Sequence, residues 1–263
     1  MKRIGILGCG WLGLPLAKTL LTKDIKIKGT TTSPSKIEVL KGNDIEAYTI
    51  DLYEDKIDEL DTFLQNIDCL IITIPPFRGE EEPTYAKNFK KLLPFIEKHN
   101  IKNVIMMSSV SIYAPSNDVI TEEFKEYSQE PTAKQILDAE NVLLNAPFIN
   151  TCILRLGGLY GEDRRPVNYI CRKELLDNPD MPINMIHLDD IIQFTVKIIN
   201  KGFEGNHIYN IVSPSFKSRF DYYNQQAKEC NLVLPPNGSN NLSTFRRISG
   251  AKIAKDTDSN YLH

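Results

Sequence analysis

No stretch of the 263 residues approaches the about 18 consecutive apolar positions that a membrane-spanning helix needs. Blocks of one charge sign are also missing. The 31 Lys and Arg are interspersed with 34 Asp and Glu, for a net charge of −3. That balance argues against nucleic acid or a membrane surface as the main partner. Cysteine is scarce and scattered: Cys9, Cys69, Cys152, Cys171 and Cys230 form no CxxC spacing and leave an odd count. The pattern reads as reduced thiols in a cytoplasmic protein and supplies no metal site. Internal repeats and low-complexity tracts are absent. The opening MKRIGILGCGWLGLPLA, a basic start before an apolar run, mimics a secretory leader, but its glycines interrupt the run. The expectation is a soluble, cytoplasmic protein with a small-molecule partner.

What is present is a rhythm. With 41% hydrophobic residues the chain can bury a full core, as one large domain or as a domain with a small lobe. Short apolar runs at 3–8, 25–30, 46–50, 69–74, 103–108, 151–156 and 207–212 read as strands. Amphipathic helical patterns fall between them, at 84–98, 133–145 and 189–200. Strands alternating with helices predict an α/β fold, a doubly wound parallel sheet of the Rossmann type. The segment 164–184 breaks the rhythm, and composition shifts toward Asn, Ser and Pro after Ser213. These pieces are expected to form a small lobe over the C-terminal edge of the sheet. The predicted division is a dinucleotide-binding domain over 1–163, to which 185–213 returns, and a substrate-side lobe over 164–263.

The most informative motif is GCGWLG, Gly8 to Gly13, directly after the first strand. Gly8 permits the tight turn, Gly10 lets backbone approach a pyrophosphate, and Gly13 lets helix and strand pack closely. The following helix start aims free N–H groups and its positive dipole end at the phosphates, with Trp11 and Leu12 in the same loop. The second strand ends in GTTTSPSK, with Thr30, Thr31, Thr32 and Lys36 and no acid before Glu38. Enzymes using NAD place a carboxylate there, whereas hydroxyls and a lysine suit a 2′-phosphate, so NADP is expected in preference to NAD. The alternative is a Ser-Pro helix start whose hydroxyls only cap. Asp51 is a candidate acceptor for the adenine amino group or an ordinary loop acid. Leu52, Pro75, Pro76, Ser108 and Gly157 complete the expected cofactor wall at the strand ends.

Later motifs carry a resemblance. SSVSIY (108–113) resembles the Ser-Ser-x-x-Val-Tyr-Gly motif of extended short-chain dehydrogenases/reductases, relatives of the nucleoside-diphosphate-sugar epimerases and dehydratases. LRLGGLYGEDRRP (154–166) is similar to that family's loop crossing the nicotinamide and substrate, NMIHLDD (184–190) to its His-x-x-Asp segment, and HIYNIVSP (207–214) to its closing strand. The wording of GCGWLGLPLA, SSVSIY and GNHIYNI resembles in particular the YeeZ-like atypical members. The resemblance implies an NAD(P)-binding oxidoreductase, epimerase or dehydratase. By position, Ser109 matches the serine that family places beside substrate and nicotinamide; its bland alternative is a strand-end serine bonding local backbone.

Departures from the family pattern are equally specific. Its phosphate loop is usually GxxGxxG, which would need glycine at Leu7. IPPFRG (74–79) replaces its Asn-Ala-Gly segment. Its catalytic tyrosine and lysine, YxxxK, fall on Thr132 and Ile136 once Glu140 is aligned with the glutamate that follows them. A threonine hydroxyl does not ionise usefully near neutral pH, and isoleucine supplies no field to lower a neighbour's pKa. The one YxxxK present, Tyr169 to Lys173, follows a later strand and reads as chance. Tyr113 and Tyr85 are therefore the replacement candidates for a proton donor. Tyr160, Arg164 and Arg165 are candidate substrate contacts, the arginines for an anion, with a solvated loop as the alternative. His187 is read either as a substrate contact or as a structural histidine joined to Asp190. Two functions follow: an NADP-dependent enzyme with a rewired proton donor, or a non-catalytic NADP(H)-binding sensor.

Overall fold

The computed structural model describes residues 2–21, 25–76, 85–215, 217–240 and 245–263. Its strands are β1 (Arg3–Leu7), β2 (Lys26–Thr31), β3 (Glu46–Thr49), β4 (Cys69–Ile72), β5 (Asn103–Ser109) and β6 (Val119–Ile120), followed by β7 (Asn150–Leu156), β8 (Gly158–Tyr160), β9 (Met185–His187), β10 (Asn206–Ile211) and β11 (Arg247–Ile248). The helices are α1 (Gly13–Leu21), α2 (Ile37–Lys41), α3 (Leu60–Leu64), α4 (Tyr85–Lys98) and α5 (Pro131–Leu144), then α6 (Val167–Ile170), α7 (Leu188–Lys201), α8 (Arg219–Glu229) and α9 (Ala251–Thr257). Among the described residues, no helix is long and apolar enough to cross a membrane.

Seven strands form one parallel sheet in the order β10-β7-β5-β4-β1-β2-β3. The order reverses after β1, so β1 and β4 flank the switch point at which ligands of such sheets bind. The apolar runs are near-continuous because each strand is covered on both faces. On one face Leu70, Ile72, Val104, Met106 and Ile153 pack under α4 and α5. On the other, Ile4, Ile6, Ile71, Ile105 and Leu154 meet α1 and α7. The predicted strands and the three predicted helices are present, with no end shifted by more than two residues; Thr84 lies outside the described residues.

Beyond β7 the chain builds a smaller cluster, in which Val167 and Ile170 of α6 pack with Leu176 and with Tyr223 and Ala227 of α8. Two parallel ladders tie these later segments to the sheet's C-terminal edge, β8 with β9 and β6 with β11. The β6–β11 ladder joins positions 119–120 to 247–248, and two-residue strands carry no periodicity for a sequence to reveal.

One buried polar network crosses the core. Arg155 of β7 and Glu140 of α5 form an ion pair with Nη2 to Oε2 at 2.7 Å, both essentially inaccessible. The same carboxylate accepts from the Ser108 hydroxyl, and Arg155 Nη1 donates to the Tyr113 hydroxyl at 2.7 Å. Tyr113 in turn donates to Asn210 Oδ1 at 2.8 Å. Full satisfaction of both charges is what makes such burial tolerable.

Candidate functional site

The glycine loop has the geometry its spacing predicts. Gly8 adopts φ +106°, a left-handed conformation, and donates its N–H to the Thr30 hydroxyl at 2.9 Å. A Cβ on Gly13 would lie 2.2 Å from the Gly8 carbonyl oxygen, so only glycine lets α1 start against the loop. Above Gly10 there is open space, with nothing within 4 Å of an added Cβ. A strained turn, a close helix approach and an open side together fit a pyrophosphate set on the helix N-terminus. Thr73, beyond the end of β4, donates its hydroxyl to the Gly8 carbonyl and braces the loop from below. Sequence reading missed it, because one threonine after an apolar strand has no motif.

The ribose end is smaller than expected. Thr30 is buried with its hydroxyl committed to Gly8, and Thr31 is buried with its hydroxyl accepting from the Ser33 amide at 3.2 Å. Both are corrected from cofactor contacts to loop supports, which leaves Thr32 and Lys36 exposed at the end of β2. Asp51 spends Oδ1 on the amides of Tyr53, at 2.9 Å, and Glu54, holding its own turn. Leu12 and Leu52 are buried in the two cores, so their side chains are packing and not cofactor wall. Pro75 is exposed and its carbonyl accepts from the Tyr53 hydroxyl at 2.8 Å; Pro76 is half-buried. The rest of the segment, Phe77 to Gly79, lies outside the described residues.

Neither replacement proton donor reaches the cleft. Tyr113 is wholly buried between Arg155 and Asn210, and burial raises its pKa despite the guanidinium beside it. Tyr85 is buried with its hydroxyl on the Ile74 carbonyl at 2.8 Å, and burial pushes it still further up. Ser108 is likewise buried, with its hydroxyl donating to Glu140. Among the positions of the absent YxxxK, Thr132 is exposed on α5 and Ile136 is buried in the core. Tyr169 is two-thirds exposed on α6, under Lys173, and does not line the Ser109 cavity.

Ser109 stands at the C-terminal end of β5. Its hydroxyl caps the next turn, accepting from the Ser111 amide at 3.1 Å, and also lines a cavity of about 370 Å³. The cavity lies at the ends of β5 and β7 and is bounded by Ser111, Gly157, Asn184, Arg219 and Arg246, among others. None of its lining residues is acidic. Arg246 donates Nε to the Tyr113 carbonyl at 2.7 Å, and burial lowers its pKa. Arg219 Nε is buried without a hydrogen-bond partner, its guanidinium 5.9 Å from the Tyr223 ring. Two partly buried guanidiniums with no acid in the lining are a donor set suited to an anion. The sequence singled out neither, since both sit in stretches whose fold toward the sheet is fixed only by tertiary packing.

The predicted substrate arginines lie elsewhere. Arg164 stacks over the Trp11 ring at 5.0 Å, and the indole donates to Asp163 at 2.8 Å, so this turn rides on the phosphate loop. Arg165 is exposed and donates to the Glu162 carbonyl and the Cys230 thiol, outside the cavity. Tyr160 is half-buried between the rings of His187 and Tyr222. His187 caps α7, with Nδ1 accepting from the Asp189 amide at 3.2 Å; its partner is Asp189 in place of the expected Asp190.

This sheet order and glycine loop define a dinucleotide-binding protein, and the chain belongs to the NAD(P)H-binding family, whose model matches residues 8–202. Protein YeeZ of Escherichia coli strain K12 is 29% identical over 267 residues, covering 99% of this chain and 96% of YeeZ. The fold is shared with UDP-glucose 4-epimerase from Bifidobacterium longum in complex with NAD+ and UDP, at TM-score 0.81 and 18% identity over 100% of this chain and 94% of that one. It is shared as well with MoeE5 in complex with UDP-glucose and NAD, at TM-score 0.81 and 16% identity over 99% and 94% of the two chains.

Proposed function

We propose that this protein binds NADP(H) along Gly8–Gly13 and acts on a small, anionic, polar or nucleotide-linked substrate in the Ser109 cavity. The observation that carries the reading is the pair Arg219 and Arg246, uncompensated by any acid in the cavity lining at the sheet's ligand edge. Exposed Thr32 and Lys36, with no acid beside them on β2, support a 2′-phosphate. A bound nicotinamide would supply hydride chemistry. The protein's own part is to hold the substrate anion through the arginines and to orient a hydroxyl or carbonyl against Ser109. Sugar nucleotides, named for several proteins that share the fold, head the substrate classes to be tried.

A second reading rests on its own observation. With Tyr113 and Tyr85 buried and Thr132 and Ile136 in place of the pair, the described cavity residues include no group that titrates near neutral pH. Serine, tyrosine and arginine hold their protons there, so a cofactor sensor without turnover is the competing function. Incubating the protein with NADPH or NADP+ and a panel of sugar nucleotides, keto-sugars and 2-oxo acids separates the two. The enzyme reading expects turnover of one member, abolished in Ser109→Ala and weakened at least about tenfold in KM by Arg219→Ala or Arg246→Ala. Tight NADPH binding with no turnover across the panel selects the sensor.

A further inference from the structure

We propose that His187, Asp189 and His263 form a binding site for a divalent first-row transition metal. The three are the described residues whose ligand atoms converge: one nitrogen of each imidazole and one Asp189 oxygen all lie within 4.8 Å of one another. Asp189 Oδ2 stands 3.5 Å from His187 Nδ1 and 3.3 Å from His263 Nε2. Ligand atoms around a tetrahedral ion with bonds of about 2.0–2.1 Å are themselves about 3.3–3.4 Å apart. Both Asp189 distances are therefore close to those of a coordination shell, and the three ligand atoms lie within the 4.8 Å from which a metal would draw them together. Metal binding displaces one contact, the long Asp189 N–H donation to His187 Nδ1, from a first-turn amide that water can satisfy.

A second observation points to a cation. Asp190 is wholly buried and places Oδ1 on the Leu262 amide at 2.6 Å, while its Oδ2 has no hydrogen-bond partner. The His263 amide also donates toward this carboxylate, and both imidazoles act on it electrostatically. Two adjacent carboxylates beside two imidazoles, one of them with an unmet buried oxygen, leave negative charge that a divalent ion would offset. His263 is also held in place. Its carbonyl accepts from Ser213 at 3.1 Å, the Tyr261 hydroxyl donates to Gly250 at 2.9 Å, and the Tyr261 ring packs on Phe194 at 4.8 Å. The two imidazole ring centroids already lie 3.8 Å apart, tilted by 40°, so the side chains are brought together before binding.

Two imidazoles and one carboxylate suit zinc, cobalt, nickel or iron better than calcium or magnesium, which take oxygen shells. Three protein ligands leave a coordination position open. No local spacing reveals this site in the sequence, because His263 lies 74 residues from Asp189.

The test uses the untagged full chain, stripped with chelator and titrated with Co2+ and, separately, Zn2+. We expect visible d–d bands of four-coordinate Co2+ and one Zn2+ per chain by elemental mass spectrometry. Asp189→Asn and His263→Ala, both at accessible side chains, should each weaken binding by at least about 100-fold and abolish the Zn2+-dependent rise in Tm. A Cys171→Ser, Cys230→Ser variant should bind as the parent does. Absence of stoichiometric metal overturns the proposal, and so does binding that survives both ligand variants. NADPH titration of the same variants, expected unchanged, shows that they are folded.

Discussion

Gly13 is the residue on which the phosphate loop turns. Its missing side chain lets the Gly8 carbonyl approach to within what would be 2.2 Å of a Cβ. Gly13→Ala should weaken NADPH binding at least tenfold and cost about 1–3 kcal/mol of stability, read by fluorescence titration and urea unfolding. Glu140 is the residue on which the core network turns. Removing its charge leaves Arg155 buried and unpaired, so Glu140→Gln should destabilise by about 3–5 kcal/mol, whereas replacing both partners by apolar side chains should cost far less. A loss for Glu140→Gln within about 0.5 kcal/mol would mean that water reaches the guanidinium. The same network explains why Tyr113 is not an acid: its hydroxyl is needed by Arg155 and Asn210.

Among the elements, α8 matters most for the cavity. It begins at Arg219, capped by Ser218, whose hydroxyl accepts from the Asp221 amide at 3.0 Å. Ser218→Ala should destabilise the protein by about 1 kcal/mol and weaken anion binding through Arg219, with NADPH affinity unmoved, in calorimetric titrations of each ligand. The sheet was legible in the sequence because parallel strands buried on both faces must be short continuous apolar runs, as CLII and NVIMMS are. The loop was legible because each glycine answers a local backbone demand. The cavity was not, since Arg219 stands at the start of α8 and Arg246 just before the two-residue β11, and neither element carries a long-range signal. Thr30 and Thr31 misled because a hydroxyl facing a cofactor and one facing its own loop look alike in sequence. Tyr85 and Tyr113 misled for a related reason: tyrosine near a strand end serves packing as readily as chemistry.

For the whole molecule, the C-terminal edge of one parallel sheet carries a dinucleotide loop and a cavity with two arginines and no acid in its lining. Thr132 and Ile136, where the resemblance places a tyrosine and a lysine, lie on α5 and leave the loop's geometry intact. The measurement closest to the central claim is isothermal titration calorimetry of the purified chain with NADPH and with NADH. One site per chain is predicted, with NADPH the tighter ligand and its affinity falling as salt rises. No heat with either dinucleotide, at concentrations where NAD(P)H-binding proteins saturate, would contradict the account at its root.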